Sequence, residues 1–384
     1  MPGADVAVIG AGVFGSWTAW HLGRAGAKVT LVEAWGPGHS RSSSGDESRI
    51  IRMSYGADEI YTRMSMRSMI AWNELCERTG ESLFRKTGAL RIGLENDPYS
   101  DASRVSMTNA GVAFEVLSPG ELQRRFPQFH LSNHNAIGIF EPDSGALMAR
   151  RAVAAVFRDA AQSGVQHDRA QVDAPAGNGR VKSLRTTSGA EVHADQFVFA
   201  CGSWLPKLFP DVLGTRIFPT RQEVFYFAPP SGSLEFAPGP FPIWLDITDP
   251  RCPYGFPDLE ARGVKIAFDL HGEPFDPDSV DRFVSMERVH EMREFLGERF
   301  PALRNAALNE SRVCQYENTS NGDFLIDRHP HFDNVWICGG GSGHGFKHGP
   351  AVGEYAGAMV LGRGTPEPRF SLASKTQVHA RAVY

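Results

Sequence analysis

The stretch "DVAVIGAGVFGSWTAWHLGRAGAKVTLVEA", residues 5–34, reads as a strand, a glycine turn, a helix and a second strand. Its glycines, Gly10, Gly12 and Gly15, stand in G-x-G-x-x-G spacing. The first permits a tight turn, the second lets a pyrophosphate approach the backbone, and the third lets helix and strand pack closely. Val13 and Phe14 open the helix, whose free N–H groups then face the phosphates. Glu33 ends the second strand, eighteen residues beyond Gly15, where a carboxylate accepts hydrogen bonds from a ribose. The pattern predicts a dinucleotide site and does not choose between NAD and FAD.

The next stretch, "GPGHSRSSSGDESRIIRMSYG" at residues 36–56, is a long loop of small residues that is expected to feed a helix. A one-domain NAD site would run straight into its next strand. Hydroxyls such as those of Ser42 and Ser43 suit a cofactor laid out full length, although a plain solvent loop reads equally well.

Further on, "MARRAVAAVFRDAAQSG" has apolar residues at helical spacing, and "ADQFVFACGSWLPKL" reads as a buried strand, a turn and a helix start. Residues 216–300 are rich in Phe, Pro and strand-like runs such as "RIFPTRQEVFYFAP", which predict an antiparallel sheet. "SVDRFVSMERVHEMREFLGERFP" predicts an amphipathic helix stopped by Pro301. "NVWICGGGSGHGFKHGPAVGEYAGAMVLG" repeats the strand–glycine–helix device.

The 384 residues carry a net charge of −5, which leaves no basic footprint for nucleic acid. No apolar run is long enough to span a bilayer, and no signal peptide is recognisable, so a cytoplasmic protein without a membrane partner is expected. Five widely spaced cysteines do not suggest a disulfide framework, and nothing in the sequence suggests a metal site. Cys201 and Cys338 end apolar runs and read as buried small hydrophobes, whereas packing does not explain Cys314 in "RVCQYENTSNGDFLID".

Taken together, "VIGAGVFGSWTAWHLGRAGAKVTLVE", "SSSGDESRIIRMSYG", "VFACGSW", "GVKIAFDLHG", "VCQYENTSNGDFLID" and "GGGSGHGFKHGPAVGE" resemble the flavin amine oxidases typified by monomeric sarcosine oxidase. N-methyltryptophan, pipecolate and fructosyl amino acid oxidases are relatives, and the resemblance covers nearly the whole chain. It implies an α/β (α+β) fold, with a Rossmann-type parallel sheet that binds FAD and an inserted antiparallel-sheet substrate domain. Residues 1–80, 146–215 and 306–384 would form the FAD domain, and 81–145 and 216–305 the substrate domain. The implied reaction oxidises the C–N bond of a secondary amino acid to an imine, which hydrolyses to an aldehyde and a primary amine while oxygen becomes hydrogen peroxide. A monomer or weak homo-oligomer is expected.

The resemblance also implies roles. Cys314, followed two residues later by Tyr316, matches the cysteine bonded through sulfur to the flavin. The bond needs a thiolate, which a nearby positive charge favours. Lys265 in "GVKIAFD" matches a lysine over the flavin ring, where a cation stabilises charge developing on oxygen. Arg52 and Lys347 match two cations that hold a substrate carboxylate, a bidentate fork and a point charge. Arg49, placed one helical turn before Arg52, matches an arginine beside the ring. Tyr316 should wall the substrate pocket, and Tyr55 and Tyr61 match helix positions near it, although such tyrosines more often serve packing. Val172, Gly202, Trp204, Gly341, Gly343, Gly345 and Lys347 are the further cofactor contacts implied.

Two departures stand out. "SSGDESR" has one residue more between glycine and arginine than sarcosine oxidase. Asp269 stands where that enzyme has a histidine, four residues after Lys265 and on the same face of an uninterrupted strand. An acid there could receive a second polar part of a substrate, as in fructosyl amino acid oxidases, or could be a turn acid. The rivals are an Amadori or cyclic imino acid oxidase, a flavin subunit that passes electrons to a partner, and an NAD-dependent dehydrogenase. Lys265 and the carboxylate clamp argue against the second, and Cys314 has no role in the third.

Overall fold

The computed structural model describes residues 4–378. The buried run Ala4–Ile9 lies at the centre of a seven-stranded sheet. It pairs in parallel with Val29–Val32 on one side and with Glu191–Phe199 on the other. Val335–Gly339 and Gln166–Asp168 extend the parallel set, and Leu325–Arg328 and Ser183–Arg185 add antiparallel edges. Apolar runs without alternation are what strands covered on both faces require.

The helix Val13–Arg24 packs on this sheet and against helices Ala149–Gln162 and Gly349–Val360. A Cβ at Gly15 would fall 1.8 Å from the carbonyl oxygen of Gly10, so only glycine allows the helix to lie this close to the turn.

The second sheet has eight strands in the order Leu308–Thr319, Ile217–Phe227, Val264–Phe268, Pro253–Phe256, Ile243–Asp246, Ala89–Leu94, Ala136–Glu141 and Glu115–Leu117. Its neighbours are antiparallel except Ile243–Asp246 and Ala89–Leu94, which run parallel. Phe129, Phe241, Trp244 and Phe300 form the heart of its core. Segments 81–145 and 216–305 supply seven of these strands, and the eighth, Leu308–Thr319, comes from the segment expected in the cofactor domain.

The helix over this core is Met286–Arg299, shorter than the stretch expected from residue 279. Ser285 starts it by accepting a hydrogen bond from the Arg288 N–H, as an N-cap serine does. A third sheet joins Arg49–Ile51, Gly145–Leu147 and Phe84–Lys86. It corrects the helical placement of Arg49 and Arg52. Arg49 opens a strand and Arg52 follows its end, so the two side chains diverge rather than stack one turn apart. No helix among the described residues is long and apolar enough to cross a membrane.

Candidate active site

The parallel strands end in three glycine turns around one cavity of about 360 Å³. Gly10 and Gly12 follow the first strand, Gly202 and Trp204 follow Glu191–Phe199, and Gly341, Gly343 and Gly345 follow Val335–Gly339. Gly10 has a φ of +100°, which L side chains rarely adopt, and a Cβ there would meet the Ala200 carbonyl at 2.6 Å. Val13, Phe14, Glu33, Ser42, Ser43, Arg49, Val172 and Tyr316 also line the cavity. Gly15, Cys314 and Lys347 do not, Gly15 being packed beneath the turn.

Glu33 accepts hydrogen bonds from the N–H groups of Ala11 at 2.7 Å and Trp35 at 2.9 Å. The Gly36 N–H adds a third at 3.4 Å, and a carboxylate with about four lone-pair sites still has one for a ribose. The Val13 N–H at the helix start meets the Ser44 hydroxyl at 3.2 Å. The cavity fits a dinucleotide on its own chemistry. It lies outside the carboxyl ends of parallel strands at a helix N-terminus. It also leaves the buried Ser43 Oγ and Glu317 Oε2 in its wall without protein partners.

Arg49 in the cavity wall belongs to a buried charge cluster that the sequence did not reveal, whose Lys265 and Tyr226 line a separate small pocket. Asp46 accepts from Lys265, Arg49 and the Tyr226 hydroxyl, the last at 2.8 Å. Lys265 also donates to the Ser48 carbonyl at 2.8 Å, and Arg49 to the Ser43 carbonyl at 2.8 Å. Burial raises the Asp46 carboxyl, but Lys265 and Arg49 outweigh it and hold it below the usual carboxylate range. Burial pushes Lys265 down to about 8; Asp46 opposes this and Arg49 adds to it. The ammonium lies 4.6 Å from the Phe256 ring centroid.

Cys314 and Tyr316 lie on Leu308–Thr319 and share a face, as the extended reading requires. Arg49 Nη2 points at the Cys314 sulfur from 3.4 Å, so a cation does adjoin this thiol.

Arg52 and Lys347 come together from opposite ends of the chain. The Arg52 guanidinium lies 4.5 Å and the Lys347 ammonium 5.1 Å from the centroid of the Tyr55 ring. Both cations are buried. Burial drives Lys347 well below its ordinary range, and Arg52 adds to the effect. Arg52 donates to the Ser54 carbonyl, and Lys347 to that of His344 at 2.9 Å.

The strand carrying Lys265 ends at Phe268, and Asp269 lies just past it. Its partner is Tyr316, whose hydroxyl donates to it at 2.8 Å. Burial raises the Asp269 carboxyl, while the Tyr316 bond, Arg52 and Lys347 pull it back. Lys265 and Asp269 therefore serve different partners. Tyr55 precedes the helix Glu59–Thr79, and its hydroxyl lies 2.8 Å from His348 Nε2. Tyr61 lies within the helix and donates to Asp323 at 2.7 Å.

This arrangement, a dinucleotide cavity at the ends of parallel strands with Arg49 in its wall and buried cations nearby, belongs to a flavin-dependent oxidoreductase. Residues 5–359 match the model of the FAD dependent oxidoreductase family, and the chain belongs to that family. It is 34% identical to the monomeric sarcosine oxidase of Streptomyces avermitilis over 379 residues, 96% of each chain. It is 28% identical to the N-methyl-L-tryptophan oxidase of Salmonella enteritidis over 367 residues, 94% of this chain and 95% of that one. Among solved structures, the L-proline dehydrogenase of P. horikoshii superposes with a TM-score of 0.83 at 21% identity, covering 96% of this chain and 97% of that one.

Proposed function

We propose that this protein is an FAD-dependent oxidase of a carboxylate-bearing secondary amino acid. The observation that carries the reading is the meeting of Arg52 and Lys347 at one tyrosine ring, where both act on Asp269, the partner of Tyr316 in the cavity wall. Burial opposes charge on both, Glu141 and Asp269 offset part of that cost, and a bound carboxylate offsets more of it. A carboxylate also favours the charged form of Lys347, so it binds together with a proton if that lysine is neutral beforehand.

Bound FAD supplies the two-electron acceptor for oxidation of the C–N bond, with molecular oxygen as the final oxidant and hydrogen peroxide as the product. The chain's own residues do the rest. Arg52 and Lys347 fix the carboxylate, and the amine is oriented with it. No residue stands out as a general base, and the amine binds in its neutral form. Lys265 and Arg49 present positive charge where negative charge develops as oxygen is reduced. Cys314 is read as the covalent link to the cofactor, with the Arg49 guanidinium beside its sulfur. The cavity residues of the parallel sheet hold the cofactor, and the eight-stranded sheet walls the substrate.

Asp269 favours a second reading within the same chemistry. Its carboxylate faces the clamp and holds Tyr316, so a substrate with an added hydroxyl or cationic group, such as an Amadori compound, has a partner there. A cyclic imino acid is the other candidate. A screen of N-methyl, N-fructosyl and cyclic amino acids read by peroxide release tests the proposal. Peroxide with at least one class is the expected result. Flavin reduction without peroxide would instead support the electron-transfer rival.

A further inference from the structure

Glu317 is the residue after Tyr316 on the strand Leu308–Thr319, and alternation turns it to the opposite face. Its Oε1 accepts a hydrogen bond from the Gly341 N–H at 3.3 Å. Its Oε2 is buried, has no partner in the protein, and belongs to a residue lining the dinucleotide cavity. Such an atom is costly unless a ligand completes it. Glu317 lies against Gly202, two residues after the Ala200 carbonyl that abuts the Gly10 turn. Its carboxylate also lies against the turn at Gly339 and Gly341, and Tyr316, the residue before it, lines the same cavity. It therefore sits where the turns after Glu191–Phe199 and Val335–Gly339 meet, rather than on the Gly10 turn at the helix N-terminus, and lines the cavity that would hold FAD.

We propose that Glu317 is a cofactor-positioning residue that accepts a hydrogen bond from a ribityl hydroxyl of FAD through its free oxygen. A hydroxyl suits it better than a phosphate, because a carboxylate against a diphosphate is a like-charge contact and the helix N-terminus already serves the phosphates. The inference needs FAD binding only and is independent of the amine substrate.

Burial pushes the Glu317 carboxyl up to about 7, against the pull of the Gly341 and Gly340 N–H groups. The titratable groups that feel its charge are the thiols of Cys201 and Cys338, both pushed up chiefly by burial. Its register partner on the adjacent strand is Pro219, which carries no charge. His39, also in the cavity wall, is lowered from its ordinary value by burial, with Glu33 opposing and Arg41 and Arg282 adding to the effect. A hydroxyl donated to the carboxylate stabilises the ionised form and lowers its pKa. FAD binding then releases a proton near pH 7, and affinity rises with pH through that region.

The test uses the full chain in a Cys314→Ser background, freed of flavin by expression under riboflavin limitation, so that binding stays reversible. FAD affinity is followed by fluorescence quenching from pH 6 to 8.5. With Glu317 present it should strengthen by up to about tenfold per pH unit below the carboxyl's pKa. Glu317→Gln should bind about tenfold or more weakly at pH 8.5 and show a flat profile. Calorimetry of the Glu317-containing chain in two buffers of different ionisation enthalpy should show proton release at pH 7, a readout that needs no variant. A flat profile with Glu317 present, an unchanged slope in Glu317→Gln, or proton uptake on binding would each overturn the proposal.

Discussion

Asp46 and Lys265, 219 residues apart, form an ion pair that is buried on both sides. The pair joins the loop that carries Asp46 to the eight-stranded sheet, and Arg49, Tyr226 and the Glu47 N–H also donate to the carboxylate. Asp46 lies in "SSGDESR", between the small-residue loop and the strand that Arg49 opens. Its carboxylate supports the charge on Lys265 against burial and Arg49.

Asp46→Asn should therefore shift Lys265 to titrate at lower pH. Lys265 now loses its charge as pH rises through about 8. Without the carboxylate the main opposition to burial and Arg49 is gone and the loss comes earlier. The pH profile of flavin reoxidation, followed by stopped flow, should move to lower pH. The variant should also lose about 3–5 kcal/mol of stability in denaturant, the usual effect of removing one partner of a buried pair. A wild-type pH profile would detach Asp46 from this role.

Lys265→Met removes the charge and roughly keeps the length. Reoxidation by oxygen should slow by about 10²–10³, the typical loss for one preorganised electrostatic group, while anaerobic reduction should suffer less. A Met variant that reoxidises at the wild-type rate would remove Lys265 from the oxygen step.

Arg52→Ala should weaken inhibition by a simple carboxylate, at a cost of about 2–5 kcal/mol in binding. Because Arg52 also lowers Lys347, the variant's lysine should stay protonated more readily and retain part of the affinity. Equal inhibition of wild type and variant would exclude Arg52 from the clamp.

Cys314→Ser should release flavin that otherwise migrates with the denatured polypeptide. In-gel flavin fluorescence reads this directly. Fluorescence that persists in the Ser variant would place the link on another residue.

The dinucleotide site was legible because its signal is local, with Gly10, Gly12, Gly15 and Glu33 inside one strand–turn–helix–strand unit. Strand alternation likewise placed Cys314 and Tyr316 together. Arg49 was misread because "RIIR" suits either a helix or a strand. Pairing with Gly145–Leu147, nearly a hundred residues away, decides for the strand. Asp46 was invisible as a functional residue because Tyr226 and Lys265 reach it from 180 and 219 residues away. Glu317 shares a motif with two recognised residues, but its unpaired oxygen exists only once the glycine turns fold around it.

The central claim is that the clamp presents a secondary amino acid to the bound cofactor. The most direct measurement mixes the purified protein anaerobically with N-methyl, N-fructosyl and cyclic amino acids and follows the oxidised-flavin absorbance. At least one class should bleach the flavin, and the same compound with its carboxylate converted to an amide should fail to do so. Bleaching by carboxylate and amide alike, or by none of the secondary amino acids, would contradict the account.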